Sequence, residues 1–190
     1  MTPINICITT TAGREMRLTK CLTAIEQNSN YPYILSLYTD KELTGCIKPT
    51  RLMLESLNPN RLAIVLNDDM VPEKDWLKIL VHEYTKHFPN YDGLAQPKDT
   101  IQNGSIATCP MATPKFLLEH WRPEYHHMFG DTELTERAKY LKKYLYVPES
   151  VVVHEHLTEQ QDPNYQHANK WTSIDHATYK ERRARGFDLV

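Results

Sequence analysis

The fold of this chain is decided by the stretch Leu62-Ala63-Ile64-Val65-Leu66-Asn67-Asp68-Asp69-Met70-Val71-Pro72. Five apolar residues run directly into three short polar ones, and such a run, rich in branched side chains, is typical of a strand buried on both faces. Pro72 and the helical pattern after it should end the strand. Two carboxylates beside a core are costly unless something offsets their charge. The stretch therefore predicts a divalent-metal and ligand site, with a helix cap or an acidic loop as the plainer interpretation.

The composition is that of a soluble globular protein without a large charge of either sign. Hydrophobic residues make up 41% of the 190 residues, charged residues make up 24%, and the formal net charge is -2. This balance gives no global field for nucleic acid or acidic membranes. No stretch has the length of a membrane span or the layout of a signal peptide, and the four scattered cysteines are expected as buried free thiols. We therefore expect a cytoplasmic protein with no nucleic-acid partner and no transmembrane segment.

Strand and helix patterns alternate three times before residue 90. Isoleucine at every second position predicts a strand at 4–8, and apolar residues at helical spacing predict a helix around 18–25. A strand at 33–38, a helix near Pro49, the strand at 62–66 and a helix at 73–87 complete the series. Such alternation favours an α/β fold in which a mostly parallel sheet is flanked by helices.

A polar cluster follows each of the three predicted strands. The clusters are residues 9–14, Asp40 and residues 67–69. Crossover connections place the C-terminal ends of parallel strands at one edge of the sheet, where ligands bind in open α/β folds. We therefore expect the three clusters to converge on one crevice.

The pattern becomes mixed after residue 89. It predicts strands at 92–96 and 106–111, a helix that starts at Thr113-Pro114, a helix opened by 130–133, strands at 145–147 and 151–153, and a helix at 173–183. The tail from 157 to 190 is polar, and its basic run 179–185 is expected to form a solvated helix face. A lid over a bound diphosphate or a peripheral membrane contact are the alternatives for that run.

Two groups in this second half could carry chemistry. His154 and His156 should project from one face of a strand, and a carboxylate–imidazole set suits ions such as Mn²⁺; two histidines that are hydrogen-bonded within the fold or exposed at the surface are the plainer interpretation. Asp131 stands at the start of a predicted helix, where it could cap the helix or act as a general base. The chain has only six glycines and no phosphate-binding lysine loop or dinucleotide fingerprint, which speaks against P-loop NTPases and NAD-type oxidoreductases.

Five short segments follow one another in an informative order. They are a Thr-rich loop ending at Arg14, Asp40 after the second strand, Leu66-Asn67-Asp68-Asp69, Gly130-Asp131-Thr132-Glu133-Leu134-Thr135-Glu136-Arg137, and Val147-Pro148-Glu149-Ser150-Val151-Val152-Val153-His154. In this order and spacing, over roughly residues 3 to 156, the chain resembles the family 2-like glycosyltransferases of the GT-A fold.

The resemblance implies a donor pocket in the first half of the chain. The donor-binding residues would be Thr9, Thr10, Arg14, Asp40, Asn67 and Asp68. Asp40 would accept a hydrogen bond from the nucleotide base, and a UDP-sugar is the favoured donor.

The resemblance also implies a metal site. Asn67-Asp68-Asp69 matches the family's Asp-any-Asp motif, with Asp69 as the ligand of Mn²⁺ or Mg²⁺ and His154 or His156 completing the site. Asn67 stands where the family usually has Asp, so the site carries one negative charge less.

The catalytic base of the family matches Asp131, with Glu133 as a second candidate. Such a base takes the proton of an acceptor hydroxyl while a single displacement inverts the anomeric carbon. Trp121, Trp171, His126 and His127 could line the acceptor side, and for the two tryptophans packing in the core is an equal alternative.

We therefore expect one GT-A-like domain over 1–190, with a nucleotide-binding half at about 1–97, an acceptor and catalytic half at about 98–156, and a tail at 157–190. The expected activity is metal-dependent transfer of a sugar from a nucleotide-diphosphate donor to a glycan, protein or lipid-linked acceptor. A sugar-nucleotide hydrolase or nucleotidyl-transferring enzyme is one alternative. A catalytically degenerate nucleotide- or glycan-binding module, to which Asn67 points, is the other. The small size suggests a stand-alone catalytic domain of viral or microbial source.

Overall fold

The structure, a computed structural model, describes residues 1–155 and 165–189. Its strands are β1 Ile4–Thr10, β2 Tyr33–Thr39, β3 Ala63–Asn67, β4 Met70–Pro72, β5 Leu94–Asp99, β6 Met111–Ala112 and β7 Tyr144–His154. Its helices are α1 Glu15–Asn28, α2 Ile47–Glu55, α3 Trp76–His87, α4 Pro114–His120, α5 Gly130–Tyr140 and α6 Tyr165–Ala184, followed by a 3-10 helix at Gly186–Asp188. The described strands form one sheet in the order β2-β1-β3-β6-β5-β7-β4.

The centre of the first half is the parallel trio β2-β1-β3. All seven residues of β1 are buried because the strand lies between two neighbours and under helices on both faces. Ile6 pairs with Leu35 on one side and with Ile64 on the other. The predicted α/β fold, a mostly parallel sheet flanked by helices, is confirmed.

Helices cover both faces of the sheet, as the alternation of side chains along a strand requires. Residues of α1 and α3 share one core cluster with Ile4, Ile6 and Ile8 of β1. Helices α2, α4 and α5 pack on the opposite face, which carries Cys7 and Val65. Crossovers on both faces bring each parallel strand back to the same edge, which positions the site described below.

The chain does not turn directly into a helix at Pro72, as the sequence suggested. Met70–Pro72 forms β4, which pairs antiparallel with residues 152–154 of β7. Proline is tolerated in this strand because β4 lies at the edge of the sheet. The acidic triplet therefore connects two strands, and it is held from both sides.

The two short strands predicted at 145–147 and 151–153 are one strand, β7, which runs parallel to β5. The pairing shifts between Pro97 and Lys98, where the partner moves from Val147 to Val151. Pro148 lacks the N–H that a regular ladder requires, which explains why the register breaks there. The uninterrupted strand carries His154 to the functional edge of the sheet.

The predicted helix start at Thr113-Pro114 is confirmed. Thr113 caps α4 by accepting a hydrogen bond on Oγ1 from the N–H of Phe116 at 3.2 Å, and Pro114 fills the first helical position. Where a strand was predicted at 106–111, before α4, the structure has only the two-residue strand β6, which pairs antiparallel with β3 and β5.

The four cysteines carry free thiols, as predicted, and Cys7, Cys21 and Cys109 are buried while Cys46 is partly buried. Burial raises the pKa of the Cys7 thiol to about 12, which keeps it protonated. Within the described part of the chain, the helices lack the combination of length and apolar character that crossing a bilayer requires.

Candidate functional site

A cavity of about 360 Å³ opens at the C-terminal ends of β1, β2 and β3. Its polar lining includes Thr9, Thr10, Arg14, Asp40, Asn67, Asp68, Asp69, Asp131 and His154. The three polar clusters of the first half therefore converge as predicted, and two residues of the second half join them. Clefts of this size that gather convergent polar groups are typical small-molecule sites.

Asp68 is the more deeply buried of the two carboxylates in Asn67-Asp68-Asp69, with 3% of its surface exposed. Thr10 donates its hydroxyl to Oδ2 at 2.5 Å, and Arg14 Nη2 lies 2.7 Å from Oδ1. Burial raises the pKa of Asp68 to about 6, against the opposing effects of Arg14 and Thr10. The hydrogen bond from Thr10 and the ion pair with Arg14 therefore offset the cost of burying the Asp68 carboxylate.

Asp69 lies at the meeting point of three cationic groups. Its Oδ2 lies 3.3 Å from Arg14 Nη2 and 3.8 Å from Arg17 Nη1. Its Oδ1 lies 3.7 Å from Nε2 of His154. Burial alone would raise the pKa of Asp69, but His154 and the two guanidinium groups outweigh it, so the pKa is lowered. Oδ1 is buried and accepts no hydrogen bond of ordinary length.

His154 is oriented by a carboxylate that sequence reasoning missed. Its Nδ1 lies 3.0 Å from Oδ2 of Asp99, which is fully buried at the end of β5. Asp99 also accepts hydrogen bonds from the Thr108 hydroxyl at 2.5 Å and from the Ile101 N–H at 2.6 Å. Burial would lower the pKa of His154, but Asp69 and Asp99 raise it to about 9. Asp99 follows a strand as Asp40 does, and it was missed because the strand was expected to end at Gln96.

The remaining predicted donor-binding residues also line the cavity. Thr9 donates its hydroxyl to Asn67 Oδ1 at 3.4 Å. Asp40 is buried and accepts the N–H of Gly45 at 3.1 Å and the hydroxyl of Thr44 at 3.3 Å. One function of Asp40 is therefore to shape the loop between β2 and α2, which forms a wall of the cavity.

Asp131 enters the cavity from the first turn of α5. It is the second residue of that helix and does not cap it, since the position before the helix is Phe129. Oδ1 accepts the N–H of Thr132 at 2.7 Å, and burial raises the pKa of the carboxyl. A raised pKa suits a general base, because it increases the affinity of the carboxylate for a proton.

Gly130 allows this placement of Asp131. A Cβ atom at Gly130 would lie 2.9 Å from Trp121 Nε1 and 3.0 Å from Ile47 Cδ1. The helix therefore approaches the wall of the cavity more closely than any other residue would permit.

Glu133, the second candidate base, does not reach the cavity. It is fully buried on the other side of α5, where Arg182 donates from Nε to Oε2 and from Nη2 to Oε1, both at 2.8 Å. Tyr125 donates its hydroxyl to Oε2 at 2.6 Å, and Arg137 Nη1 donates to Oε1 at 3.5 Å. Asp131 therefore lies at the cavity, whereas Glu133 has a structural role in the packing of α6 against α5.

The basic run of the tail is not a solvated face throughout, which corrects the sequence-based expectation. Arg182 is 4% exposed and Tyr179 is 9% exposed, because both pack against α5. Periodicity did not reveal this, since the partner acids lie far away along the chain.

The tail also shapes the side of the cavity near Asp131. Trp171 lines the cavity together with Trp121 and His127, and Trp121 also packs in the core, with 5% of its surface exposed, so the core alternative holds for this tryptophan. His126 stacks on Trp171 at 3.9 Å between ring centroids. Asp175, a fully buried residue of α6 that sequence reasoning missed, accepts the backbone N–H groups of residues 126, 127 and 128 at 2.8–3.0 Å.

The predicted metal ligands are brought together in part. Oδ1 of Asp69 and Nε2 of His154 lie 3.7 Å apart at the cavity, while His156 lies outside the described residues. Over residues 1–155 and 165–189, no group of three or more His, Cys, Asp or Glu side chains is arranged to hold a metal ion. Asp69 Oδ1, a buried carboxylate oxygen without a hydrogen bond, could ligate a divalent cation, and Nε2 of His154 could join it only by giving up the proton that its raised pKa keeps there at neutral pH.

Comparison with solved structures shows that this chain resembles several known proteins in its fold. The crystal structure of S. aureus TarS 1-349 superposes with a TM-score of 0.60 at 11% identity, covering 80% of this chain and 60% of that one. A putative glucose-1-phosphate thymidylyltransferase from Bacillus anthracis, in complex with a sucrose, gives 0.50 at 10% identity, with coverages of 76% and 86%. The glycosyltransferase GlyE of Streptococcus pneumoniae TIGR4 gives 0.49 at 10% identity, with coverages of 95% and 52%.

No protein-family model and no curated protein matches this sequence. The chain spans about 60% of the length of the TarS fragment, so the likeness concerns the shared α/β part. Sheet order, crevice position and the superposition on TarS agree with the expectation from the ordered sequence segments. The chain has a GT-A-like glycosyltransferase fold.

Proposed function

We propose that this protein is a glycosyltransferase that moves a sugar from a nucleotide-diphosphate donor, with a UDP-sugar favoured, to a hydroxyl of a glycan, protein or lipid-linked acceptor. The observation that carries the proposal is the meeting of Asp131 with the Asp68–Asp69–Arg14–His154 cluster in one cavity. The fold that the chain shares with solved transferases supports nucleotide-sugar transfer as the general class.

The donor half of the cavity supplies binding and orientation. Its hydrogen-bonding groups come from the ends of β1, β2 and β3, which the parallel register fixes relative to one another. In this proposal Asp40 accepts a hydrogen bond from the base, and Thr9 and Asn67, which hydrogen-bond to each other at 3.4 Å, contact the ribose. Rigid strands hold these groups in place, so little ordering is required when the donor binds.

Asp131 acts as the general base. The acceptor hydroxyl gives its proton to the Asp131 carboxylate as its oxygen attacks the anomeric carbon from the face opposite the leaving group. The configuration is therefore inverted in one displacement. Trp121, Trp171 and His127 line the same cavity as Asp131, and in this proposal they form the wall against which the acceptor is positioned.

Asp69 and His154 would hold Mn²⁺ or Mg²⁺, through Oδ1 and Nε2. When bound there, the ion supplies Lewis-acid stabilisation to the departing diphosphate. Asp99 keeps Nδ1 of His154 engaged at 3.0 Å, so that Nε2 faces the cavity. Asn67 reduces the negative charge of the site, which predicts a weaker metal site than three carboxylates would give.

A nucleotidyl-transferring reaction is the second candidate, and it is favoured by the superposition on the thymidylyltransferase. The two reactions release different products. Glycosyl transfer releases a nucleoside diphosphate, whereas nucleotidyl transfer to a sugar phosphate releases pyrophosphate. Chromatography of the products formed from UDP-sugars with acceptor sugars, and from UTP with sugar phosphates, separates them. Free sugar formed at the same rate with and without any acceptor would indicate a hydrolase.

The first experiment is calorimetric titration of the protein with UDP and with GDP, each in Mn²⁺ and in EDTA. We expect one diphosphate to bind, and to bind more tightly with Mn²⁺. Asp69→Asn should remove the gain from Mn²⁺, while Asp92→Asn, a control at an exposed ion pair with Lys143, should keep it. Absence of binding to both diphosphates in both buffers would reject the proposed donor site.

A further inference from the structure

A diphosphate that enters the cavity comes close to several negatively charged side chains. Four carboxylates line it, those of Asp40, Asp68, Asp69 and Asp131. A nucleoside diphosphate is itself an anion, and like charges at close range in a partly buried site repel strongly. Among the described lining residues, the permanent cations are the two arginines at the start of α1, Arg14 and Arg17. Together with His154 and a cation held at Asp69, these arginines are the described lining groups that can offset the charge of the diphosphate.

Arg14 is engaged with the acidic triplet. Its Nη2 lies 2.7 Å from Asp68 Oδ1 and 3.3 Å from Asp69 Oδ2. This arginine compensates the buried charge of both acids, and its departure would leave Asp68 uncompensated at the base of the cavity. Arg14 therefore serves to neutralise these two acids in the wall of the cavity.

Arg17 is held differently, by one arm only. Its Nη2 donates to the backbone carbonyl oxygen of Glu155 at 3.3 Å. Its Nη1 is buried, makes no hydrogen bond, and lies 3.8 Å from Asp69 Oδ2. A buried N–H without an acceptor is costly, and an anionic oxygen that entered the cavity would satisfy it. The anchored arm fixes the guanidinium plane, and Nη1 is the nitrogen of this cavity-lining arginine that lies beside Asp69 without a hydrogen bond.

We propose that Arg17 is a catalytic residue that binds the diphosphate of the donor and stabilises it as the leaving group, a role that rests on the proposed glycosyl transfer. In that step the acceptor oxygen forms a bond to the anomeric carbon, and its proton passes to Asp131. The bond from the anomeric carbon to the phosphate oxygen breaks, and its electron pair stays on that oxygen. The additional negative charge develops on the diphosphate, where a charged N–H donor gains most in strength.

The test compares nucleotides that differ by one phosphate. Calorimetry with UDP against UMP, and with GDP against GMP, is done in EDTA and again in Mn²⁺ on the wild type, Arg17→Gln, Arg17→Lys and Lys20→Gln. Lys20 is the matched control, since it lies on the same helix and ion-pairs with the Glu155 side chain while its own side chain is 56% exposed. Melting temperatures of all four proteins show whether each variant is folded.

For Arg17→Gln we expect diphosphate affinity to fall by roughly tenfold to a hundredfold, the range for a lost charged hydrogen bond, with monophosphate affinity changed less than about twofold. Arg17→Lys should recover part of the loss because it keeps the charge without the fork of donors. Lys20→Gln should leave both affinities unchanged. Equal losses for both nucleotides, or no loss for either, would overturn the role of Arg17 while leaving the donor site intact. A wild type that binds neither diphosphate, in Mn²⁺ or in EDTA, would overturn both proposals.

Discussion

Two buried charge clusters are reached from different sides of helix α5, and they differ in how completely the oxygens of their carboxylates are paired. The crevice cluster consists of Arg14, Asp68, Asp69 and His154, and it leaves Oδ1 of Asp69 without a hydrogen bond. The helix cluster consists of Tyr125, Glu133, Arg137 and Arg182. In it, both carboxylate oxygens of Glu133 accept hydrogen bonds from within the cluster.

The difference shows how buried charge separates into functional and structural uses. A carboxylate whose oxygens are all engaged by fixed partners holds elements together and has no capacity left for a ligand. A carboxylate that faces a cavity with one oxygen unengaged stores an interaction that a ligand can complete. Asp131 and Glu133 are only two residues apart on α5, yet Asp131 faces the cavity and Glu133 is paired with Arg182 in the core.

The largest expected effect comes from Asp131→Asn. The amide cannot take the proton of the acceptor hydroxyl, so the transfer rate should fall by roughly 10²–10⁴-fold, the usual contribution of a general base. Donor affinity should stay near that of the wild type, as measured by calorimetry. Glu136→Gln makes the same chemical change at a half-exposed site on the same helix and should keep the rate. Full transfer by the Asn variant would remove Asp131 from the mechanism.

Glu133→Gln should act on stability and leave chemistry nearly unchanged. The change leaves the buried Arg182 guanidinium without its carboxylate, and such broken buried pairs cost about 3–5 kcal/mol. Urea unfolding followed by circular dichroism measures the loss. Glu181→Gln, at an exposed pair with Arg185, serves as the control and should show little change. A large loss of catalytic rate in folded Glu133→Gln, at unchanged stability, would reverse the assignment of the two clusters.

Asp175→Ala should give an intermediate effect that links the tail to the cavity. Three backbone N–H groups and the Nδ1 of His126 would lose their acceptor, at a cost of about 2 kcal/mol or more. Faster amide hydrogen exchange at residues 126–128 should accompany the loss. Asp188→Ala removes a half-exposed acid near Arg182 and is the control. Unchanged exchange at these amides would show that the tail does not hold the loop.

The smallest effect is a dependence of stability on pH, set by His154. Its pKa in the fold is about 9, above the ordinary 6.5, so the protonated form is stabilised by folding. This stability is fully present below about pH 6.5 and is lost as the pH rises through 9, by at least ~1 kcal/mol. Urea unfolding at a series of pH values in EDTA measures it. His154→Gln should flatten the profile, and an unchanged slope would contradict the pairing with Asp69 and Asp99.

Much of the fold could be predicted because its signals are local. The buried run at 62–66, the alternating isoleucines of β1 and the cap at Thr113 each depend on a few neighbouring residues. The convergence of three polar clusters was predictable too, since right-handed crossovers leave little choice of edge. Strand β4 was missed because Met70–Pro72 is stabilised by a partner more than eighty residues away.

The candidate site was predicted in its residue types but not in its pairings. Asp131 and Glu133 have the same sequence signal, an acid in the first turn of a helix. Only the packing of α6 against α5 decides that Arg182 meets Glu133. Asp99, Arg17 and Asp175 escaped notice because each acts through a partner distant in the chain.

The sequence by itself determined the α/β alternation, the edge at which polar residues gather, and the acids available for chemistry there. Periodicity and strand ends carry that information because they depend on backbone geometry that every neighbouring residue shares. The tertiary structure decided which oxygen is engaged and which faces the cavity. That choice rests on contacts between residues far apart in the chain, such as Asp69 with His154 and Glu133 with Arg182, which form only when the sheet and its covering helices are assembled.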